Sequence, residues 1–140
     1  MNDIYTYTVP VFTKMLGGLK LVLAKAKEDV VAGKLDEKTL IEDRLAPDMF
    51  AFAKQVQTAC DNAKGAAARL SGAEVPSFED NETTIDELVA RVDKTLAFLA
   101  TVKEESFAGA AERKIEIKYF APQWFTGFDY AREYAIPNFF

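Results

Sequence analysis

Gln57, Asp61 and Lys64 follow one another at spacings of four and three residues inside the stretch Leu45–Leu70, LAPDMFAFAKQVQTACDNAKGAAARL. If that stretch is a helix, all three sit on the rim of its apolar stripe. Two arrangements fit the spacing. The strip could line a cavity in which Lys64 polarises Asp61, a common active-site ingredient. It could equally be a structural ion pair at a helix boundary, because pairs three and four residues apart meet on any helix. Cys60, the only cysteine, falls within the stripe itself, where a free thiol behaves as a small hydrophobe. A nucleophilic thiolate needs a helix N-terminus or a cationic neighbour to lower its pKa. Cys60 is mid-helix, and the chain has no histidine to serve as a base.

A second group of candidates is aromatic. Nine of the 17 aromatic residues lie between Tyr119 and Phe140. Trp124, Phe125, Phe128, Tyr130 and Tyr134 could wall a ligand pocket, form a dimer surface, or cap one end of a bundle. The ligand-binding candidates are therefore Gln57, Asp61, Lys64, Trp124 and Tyr130, with no catalytic residue assigned. Glu112, Glu116, Asp129 and Glu133 fall on separate local elements, and their spacing gives no acid–base pair. The chain carries no phosphate-binding glycine loop, no nucleophile elbow and no H-E-x-x-H. Without histidine and with a single thiol, a metal site would have to be built almost wholly from carboxylates, a poor donor set for zinc. No metal and no cofactor are expected.

Composition narrows the classes further. A chain of 140 residues, 49% hydrophobic, matches one domain spanning 1–140 with a sizeable core. The net charge of −5 and the scatter of Lys14, Lys20, Lys25 and Lys27 around one helix argue against nucleic acid, which calls for a clustered basic face. No apolar run approaches the ~18 residues of a membrane span, and the N-terminus lacks the charged and apolar regions of a signal peptide. A lone cysteine fits a reducing cytoplasm.

Three long amphipathic helices must position the candidates. The first runs from about Val9 to Ala32, with Pro10 in its first turn and Gly33 at its end. Its stripe is Phe12, Leu16, Leu19, Leu23, Ala26 and Val30. Gly17-Gly18 interrupts it at about 1 kcal/mol each, which suggests close packing against a neighbouring helix or a slight bend, with room for a ligand as the functional alternative. A short connecting helix follows over Asp36–Arg44. The second long helix is expected from Pro47 to Leu70, with Asp48 complementing its dipole, Arg44 pairing with Asp48, and Met49 opening the apolar stripe. After a loop over Gly72–Asn81, Thr84 and Glu87 form a capping box for the third, whose stripe is Ile85, Leu88, Val89, Val92, Leu96 and Leu99. Residues 113–118 alternate polar and apolar and could pair with Trp124–Thr126 as a hairpin. A short helix over Phe128–Ala135 comes next. Pro137 reads as the first turn of a fourth bundle helix that the chain lacks. Three such helices joined by loops imply an antiparallel bundle.

The order Tyr7-Thr8-Val9-Pro10-Val11-Phe12, Arg44-Leu45-Ala46-Pro47-Asp48-Met49-Phe50, Gln55-Val56-Gln57, Cys60-Asp61, Ala63-Lys64-Gly65, Glu82-Thr83-Thr84 and Pro137-Asn138-Phe139-Phe140 resembles the domain of unknown function family numbered nineteen ninety-three, in the DinB/YfiT-like superfamily. The resemblance covers essentially the whole chain. It implies an all-α, DinB/YfiT-like antiparallel four-helix bundle, up-down with a crossover, its fourth helix truncated here, with a short β-hairpin near residues 113–126. It also implies a bacterial, cytoplasmic homodimer. Many relatives hold a divalent metal through three histidines, and some are thiol-dependent transferases or isomerases. Here the second helix offers Gln57 and Asp61 in place of histidine, so the metal site does not carry over. The expected role is a small-molecule-binding or structural module without nucleic-acid or membrane partners. The alternatives are a thiol-dependent transferase or isomerase and a pure dimerisation module using the aromatic end.

Overall fold

The computed structural model describes residues 2–140 and is mostly helical, with one two-stranded antiparallel sheet. A short helix α1 (Asp3–Tyr7) leads into α2 (Val9–Val31), which is followed by α3 (Glu37–Glu42), α4 (Phe52–Ser71) and α5 (Ile85–Thr101). Strands β1 (Lys114–Glu116) and β2 (Trp124–Thr126) pair with Ile115 opposite Phe125. A continuous helical run closes the chain: α6 (Gly127–Asp129), a π-helical turn over Tyr130–Ala135, and α7 (Ile136–Phe139).

Each long helix forms where its apolar residues recur at three and four and where its ends are closed. Pro10 sits in the first turn of α2, where no amide partner is lost. The α4 helix ends in Gly72 at φ +77°. There the Ala73 amide reaches back to the Ala68 carbonyl at 2.9 Å, a closing bond that needs the left-handed residue glycine tolerates. At the start of α5 the Glu87 amide donates to Thr84 Oγ1 at 3.1 Å. The expected reciprocal bond differs, because the Glu87 carboxylate takes the Thr84 hydroxyl. The Ile85 amide is instead capped from α3, by Glu37 Oε1 at 2.9 Å.

The core lies where α5 packs between α2 and α4. Phe12, Leu16 and Leu23 of α2 meet Val56, Cys60, Ala63, Ala67 and Leu70 of α4, and Ile85, Leu88, Val92 and Leu99 of α5. Each large aliphatic buried there stabilises the fold by about 1.5–3 kcal/mol relative to exposure. The alanines of α4 let its neighbours approach closely. The end of the hairpin is pinned by a still closer approach: a Cβ on Gly127 would lie 1.7 Å from the Ala110 carbonyl oxygen.

Three expectations need correction. The α4 helix starts at Phe52, not Pro47. Residues 46–49 form a turn closed by the Met49 amide on the Ala46 carbonyl, with Pro47 at the second position that proline prefers. Arg44 binds the Met49 carbonyl at 2.6 Å rather than Asp48. Met49 is accordingly exposed, and Asp48 lies in the turn. The helix expected over Phe128–Ala135 extends at both ends and is π-wound in the middle. Finally, nothing lies within 4 Å of where a Cβ on Gly17 or Gly18 would stand, so packing within the chain does not account for the glycine pair.

Candidate functional site

The α4 helix places Gln57, Asp61 and Lys64 on the side that faces α5 and the segment leading into it. From α5 comes Arg91, whose side chain is 0% exposed. From the preceding segment come Phe78, Asp80 and Glu82. Arg91 Nη2 donates to Asp61 Oδ1 at 2.8 Å. Its Nη1 donates to Glu82 Oε1 at 3.0 Å and to the Glu79 carbonyl at 3.0 Å, and lies 2.9 Å from Asp80 Oδ1. Lys64 Nζ donates to the same Asp61 oxygen at 3.0 Å, and Lys54 Nζ to Asp80 Oδ2 at 3.0 Å. Gln57 Nε2 donates to Glu82 Oε2 at 3.0 Å. Lys64 also stands 4.4 Å from the centre of the Phe78 ring, a favourable placement for a cation over a π-face.

Three cations, Arg91, Lys64 and Lys54, thus meet three carboxylates, Asp61, Asp80 and Glu82. The balance is what permits a buried guanidinium, since an unpaired charge there would be prohibitively costly. Burial by itself would lower the Arg91 pKa; its hydrogen bonds to Glu82 and Asp61 outweigh that and raise it. Asp80 feels the same opposition in reverse. Burial raises it, but the bonds from Lys54 and Arg91 hold its carboxyl below the usual carboxylate range. Arg91 Nε is buried without a hydrogen-bond partner.

This network borders a cleft of about 620 Å³ lined by Gln57, Glu82, Lys54, Lys38, Arg44 and Ile41, among others. Gln57 and Glu82 are nearly buried and form its polar floor. Lys38 and Arg44 stand at the side of α3 and the turn that follows it. Lys38 makes no ion pair among the described residues. The chemistry available is hydrogen bonding and charge pairing. Cys60 lies within the core at 0% exposure. Burial pushes its thiol up to about 11, and the Thr95 hydroxyl and Arg91 only partly offset this. A thiol in that state is not a nucleophile near neutral pH.

The other two candidates lie elsewhere. Trp124 is half-exposed on β2, with Lys114 Nζ 5.5 Å from its ring centre. Tyr130 is buried, and its hydroxyl accepts from Arg69 Nη1 at 3.0 Å. Burial raises the Tyr130 pKa and Arg69 draws it partly back. Its ring stacks on Tyr134 at 5.8 Å. Gln57, Asp61 and Lys64 therefore belong to one network, while Trp124 and Tyr130 belong to the C-terminal end.

The residues around Arg91 do not fit the divalent metal held by histidine-bearing relatives. The three carboxylates that converge there already share a guanidinium, which occupies the centre a cation would need. Among the described residues no group of three or more His, Cys, Asp or Glu could hold a metal ion. Nor is any helix among them long and apolar enough to cross a membrane.

The residue at the centre of the network, Arg91, was not singled out from the sequence, and Glu82 appeared there only within the family motif, with no site role. A signal existed. Leu88, Val92 and Leu99 mark the buried face of α5, and Arg91 and Thr95 sit on that same face. A charged residue on an apolar stripe implies a buried partner.

Residues 4–140 match the family model described as "Domain of unknown function (DUF1993)". Among solved structures, the chain is similar to a DinB family member protein from Shewanella denitrificans, at 39% identity and a TM-score of 0.91, covering 98% of this chain and 78% of that one. No curated protein matches.

Proposed function

The chain belongs to the DUF1993 family, and from that premise we propose that it is a small-molecule-binding module of DinB-like fold, folded as one domain over 1–140, whose ligand occupies the cleft above Gln57 and Glu82. The family description carries no activity, so the reading rests on the site. The observation that carries it is the pairing of a roomy cleft with a fixed polar floor. Glu82 is held by Arg91 and Gln57 by Glu82, so their orientation is set before any ligand arrives, and preorganisation is what makes a few polar groups effective in recognition. The lining mixes Lys38, Arg44 and Lys54 with Glu42 and Glu82. That mixture suits a small polar metabolite bearing both charge and hydrogen-bonding groups. Asp61 and Lys64 act as supports for the floor. Trp124 and Tyr130 are not part of this cleft.

The course of α7 supports the four-helix arrangement of DinB proteins. Phe139 packs on Phe12 of α2 at 4.4 Å between ring centres, and Asn62 of α4 donates to the Asn138 carbonyl at 3.0 Å. These contacts support reading α7 as the position of the fourth helix. A thiol-dependent transferase is the alternative, and the buried, high-pKa Cys60 speaks against its using the chain's own thiol.

The test is ligand-observed NMR with amino acids, mono- and dicarboxylates and glutathione. At least one compound should bind with a Kd below about 1 mM, with binding lost in Gln57→Leu and kept in Trp124→Ala. Binding lost in Trp124→Ala and kept in Gln57→Leu would move the site to the aromatic end and overturn this reading. Absence of any binding would overturn it too.

A further inference from the structure

The floor of the cleft offers hydrogen-bond acceptors and no free donor. Gln57 Nε2 donates to Glu82 Oε2 at 3.0 Å. The opposite amide orientation would set oxygen against carboxylate, so the side chain can face only one way. Gln57 Oε1 receives no hydrogen bond among the described residues. The one buried side-chain polar atom left without a partner among them is Arg91 Nε. Gln57 Oε1 is therefore open to the cleft that Gln57 lines. Glu82, ion-paired with Arg91, keeps lone pairs and as a carboxylate can only accept. Thr83 lines the same cleft, and its hydroxyl gives its proton to Glu87 Oε1 at 3.3 Å.

The exposed side of the cleft has the opposite character. Lys54 is balanced by Asp80. Lys38 and Arg44 have no carboxylate partner among the described residues, and they stand against one unpaired carboxylate in the lining, Glu42. One positive charge is left in excess. Arg44 Nη1 binds the Met49 carbonyl at 2.6 Å, which anchors the guanidinium and leaves its other donors available. The rest of the lining is apolar: Ile41, Ala51 and Ala53.

We propose that the ligand of this cleft is an amino carboxylate, with its ammonium on the floor, its carboxylate toward Lys38 and Arg44, and its carbon skeleton against the apolar lining. This rests on the ligand reading above and narrows it to one chemical class. An ammonium brings three protons to three acceptors, Gln57 Oε1, Glu82 and Thr83 Oγ1, where a hydroxyl brings one. A plain carboxylate would meet the two cations but cover the floor without giving it a donor, and a polar group buried unpaired is costly. A plain amine would meet the floor and leave the excess positive charge uncompensated. A site built this way discriminates against analogues that lack one of the two groups.

The test is titration calorimetry on the whole chain with leucine and 5-aminopentanoate, each beside analogues on a matching carbon skeleton. For leucine these are 4-methylpentanoate, 2-hydroxy-4-methylpentanoate and 3-methylbutylamine; for 5-aminopentanoate they are pentanoate and butylamine. At least one amino carboxylate should bind about tenfold or more tightly than each of its analogues, the scale of one hydrogen bond to a charged group. Gln57→Leu should erase the advantage over the carboxylate without nitrogen. Lys38→Gln combined with Arg44→Gln, both at exposed positions, should erase the advantage over the amine. Circular dichroism checks that the variants fold, and the comparison among ligands on the wild type needs no variant. An analogue that binds as tightly as its amino carboxylate overturns the proposal, as does an advantage that survives both sets of substitutions. If a compound of another class binds instead and Gln57→Leu abolishes it, this proposal falls while the cleft remains the site. If nothing binds, both fall.

Discussion

Between α4 and α5, three carboxylates, two ammonium groups and an amide are arranged around the Arg91 guanidinium; at the C-terminal end, Phe120, Phe125, Tyr130 and Tyr134 meet ring to ring at 5.6–6.5 Å. Both regions are clusters of residue types that binding sites use, and they are held by different forces. The first is fixed by directional bonds, each polar group constraining the next, and it presents Gln57 and Glu82 to an open cleft. The second is fixed by area and edge-to-face packing, which fill space without leaving polar groups poised. Its one buried polar pair, Tyr130 with Arg69, closes on itself. Chemical richness in a sequence therefore does not separate a recognising region from a packing one. What separates them is whether polar groups are fixed and still face accessible space.

The comparison breaks most visibly at Arg91. Arg91→Met should cost about 3–5 kcal/mol, because it leaves Glu82 buried beside its former partner without a counter-charge. Urea denaturation followed by circular dichroism measures this. Adding Glu82→Gln should recover part of the loss, because the stranded charge is removed. A loss under about 1 kcal/mol would mean that the network is replaceable packing, like the aromatic end. The pH dependence sharpens the point. The folded-state pKa of Asp80 lies below its unfolded value. Its contribution is complete above the unfolded value of about 3.9 and is lost as pH falls through the folded one. Acid should therefore weaken the wild type over that window, and Arg91→Met should flatten the slope, since Arg91 no longer depresses Asp80.

How much of this was legible follows from what each residue does. The three long helices and the hairpin follow from local periodicity and turn chemistry. Gln57, Asp61 and Lys64 were visible because they share one helix. Arg91 was missed because its partners lie on α4 and on the segment before α5, and no local pattern shows that convergence. Its placement on the apolar face of α5, with Thr95 one turn on, was the only trace. The start of α4 was misplaced because Pro47 suits a helix first turn and a β-turn equally well. The bond from Arg44 to the Met49 carbonyl, which accompanies the turn, is a local side-chain contact that apolar periodicity does not register. Tyr130 stood as a candidate pocket wall beside the dimer-surface and bundle-cap readings, because ring content alone cannot distinguish a wall from a plug.

Cys60 tests the boundary between the two kinds of region, since it is buried among apolar groups while lying close to Arg91. Its pKa rises from 9.0 to about 11, so the thiolate fraction near pH 8 falls about a hundredfold below that of an unperturbed thiol. A maleimide-type or disulfide reagent should label it slowly in the native protein and rapidly in urea. The linkage has a sign. A raised thiol pKa contributes stability that is complete below the unfolded value and lost as pH climbs toward about 11. Stability should decline through that alkaline window, and Cys60→Ala should remove the thiol's share of the decline while leaving that of the buried Tyr130 hydroxyl. Rapid native labelling would place the guanidinium's influence above that of burial and revive a thiol chemistry for the chain.

The smallest effect is expected at Trp124. Its ring is 52% exposed, and its contact with the Lys114 ammonium is a surface cation–π pair, worth about 0.5–1 kcal/mol. Trp124→Ala should therefore shift the urea midpoint by no more than about that amount and leave cleft binding untouched. Phe125, opposite Ile115 on the buried side of the hairpin, carries the packing that Trp124 does not. A loss well above 1 kcal/mol at Trp124 would mean that the exposed side of β2 is covered in solution. The aromatic end would then be an interface, and the contrast with the Arg91 network would narrow to one between two contact surfaces. A loss at or below the expected value keeps the contrast as drawn, with recognition on the charged side and closure on the aromatic one.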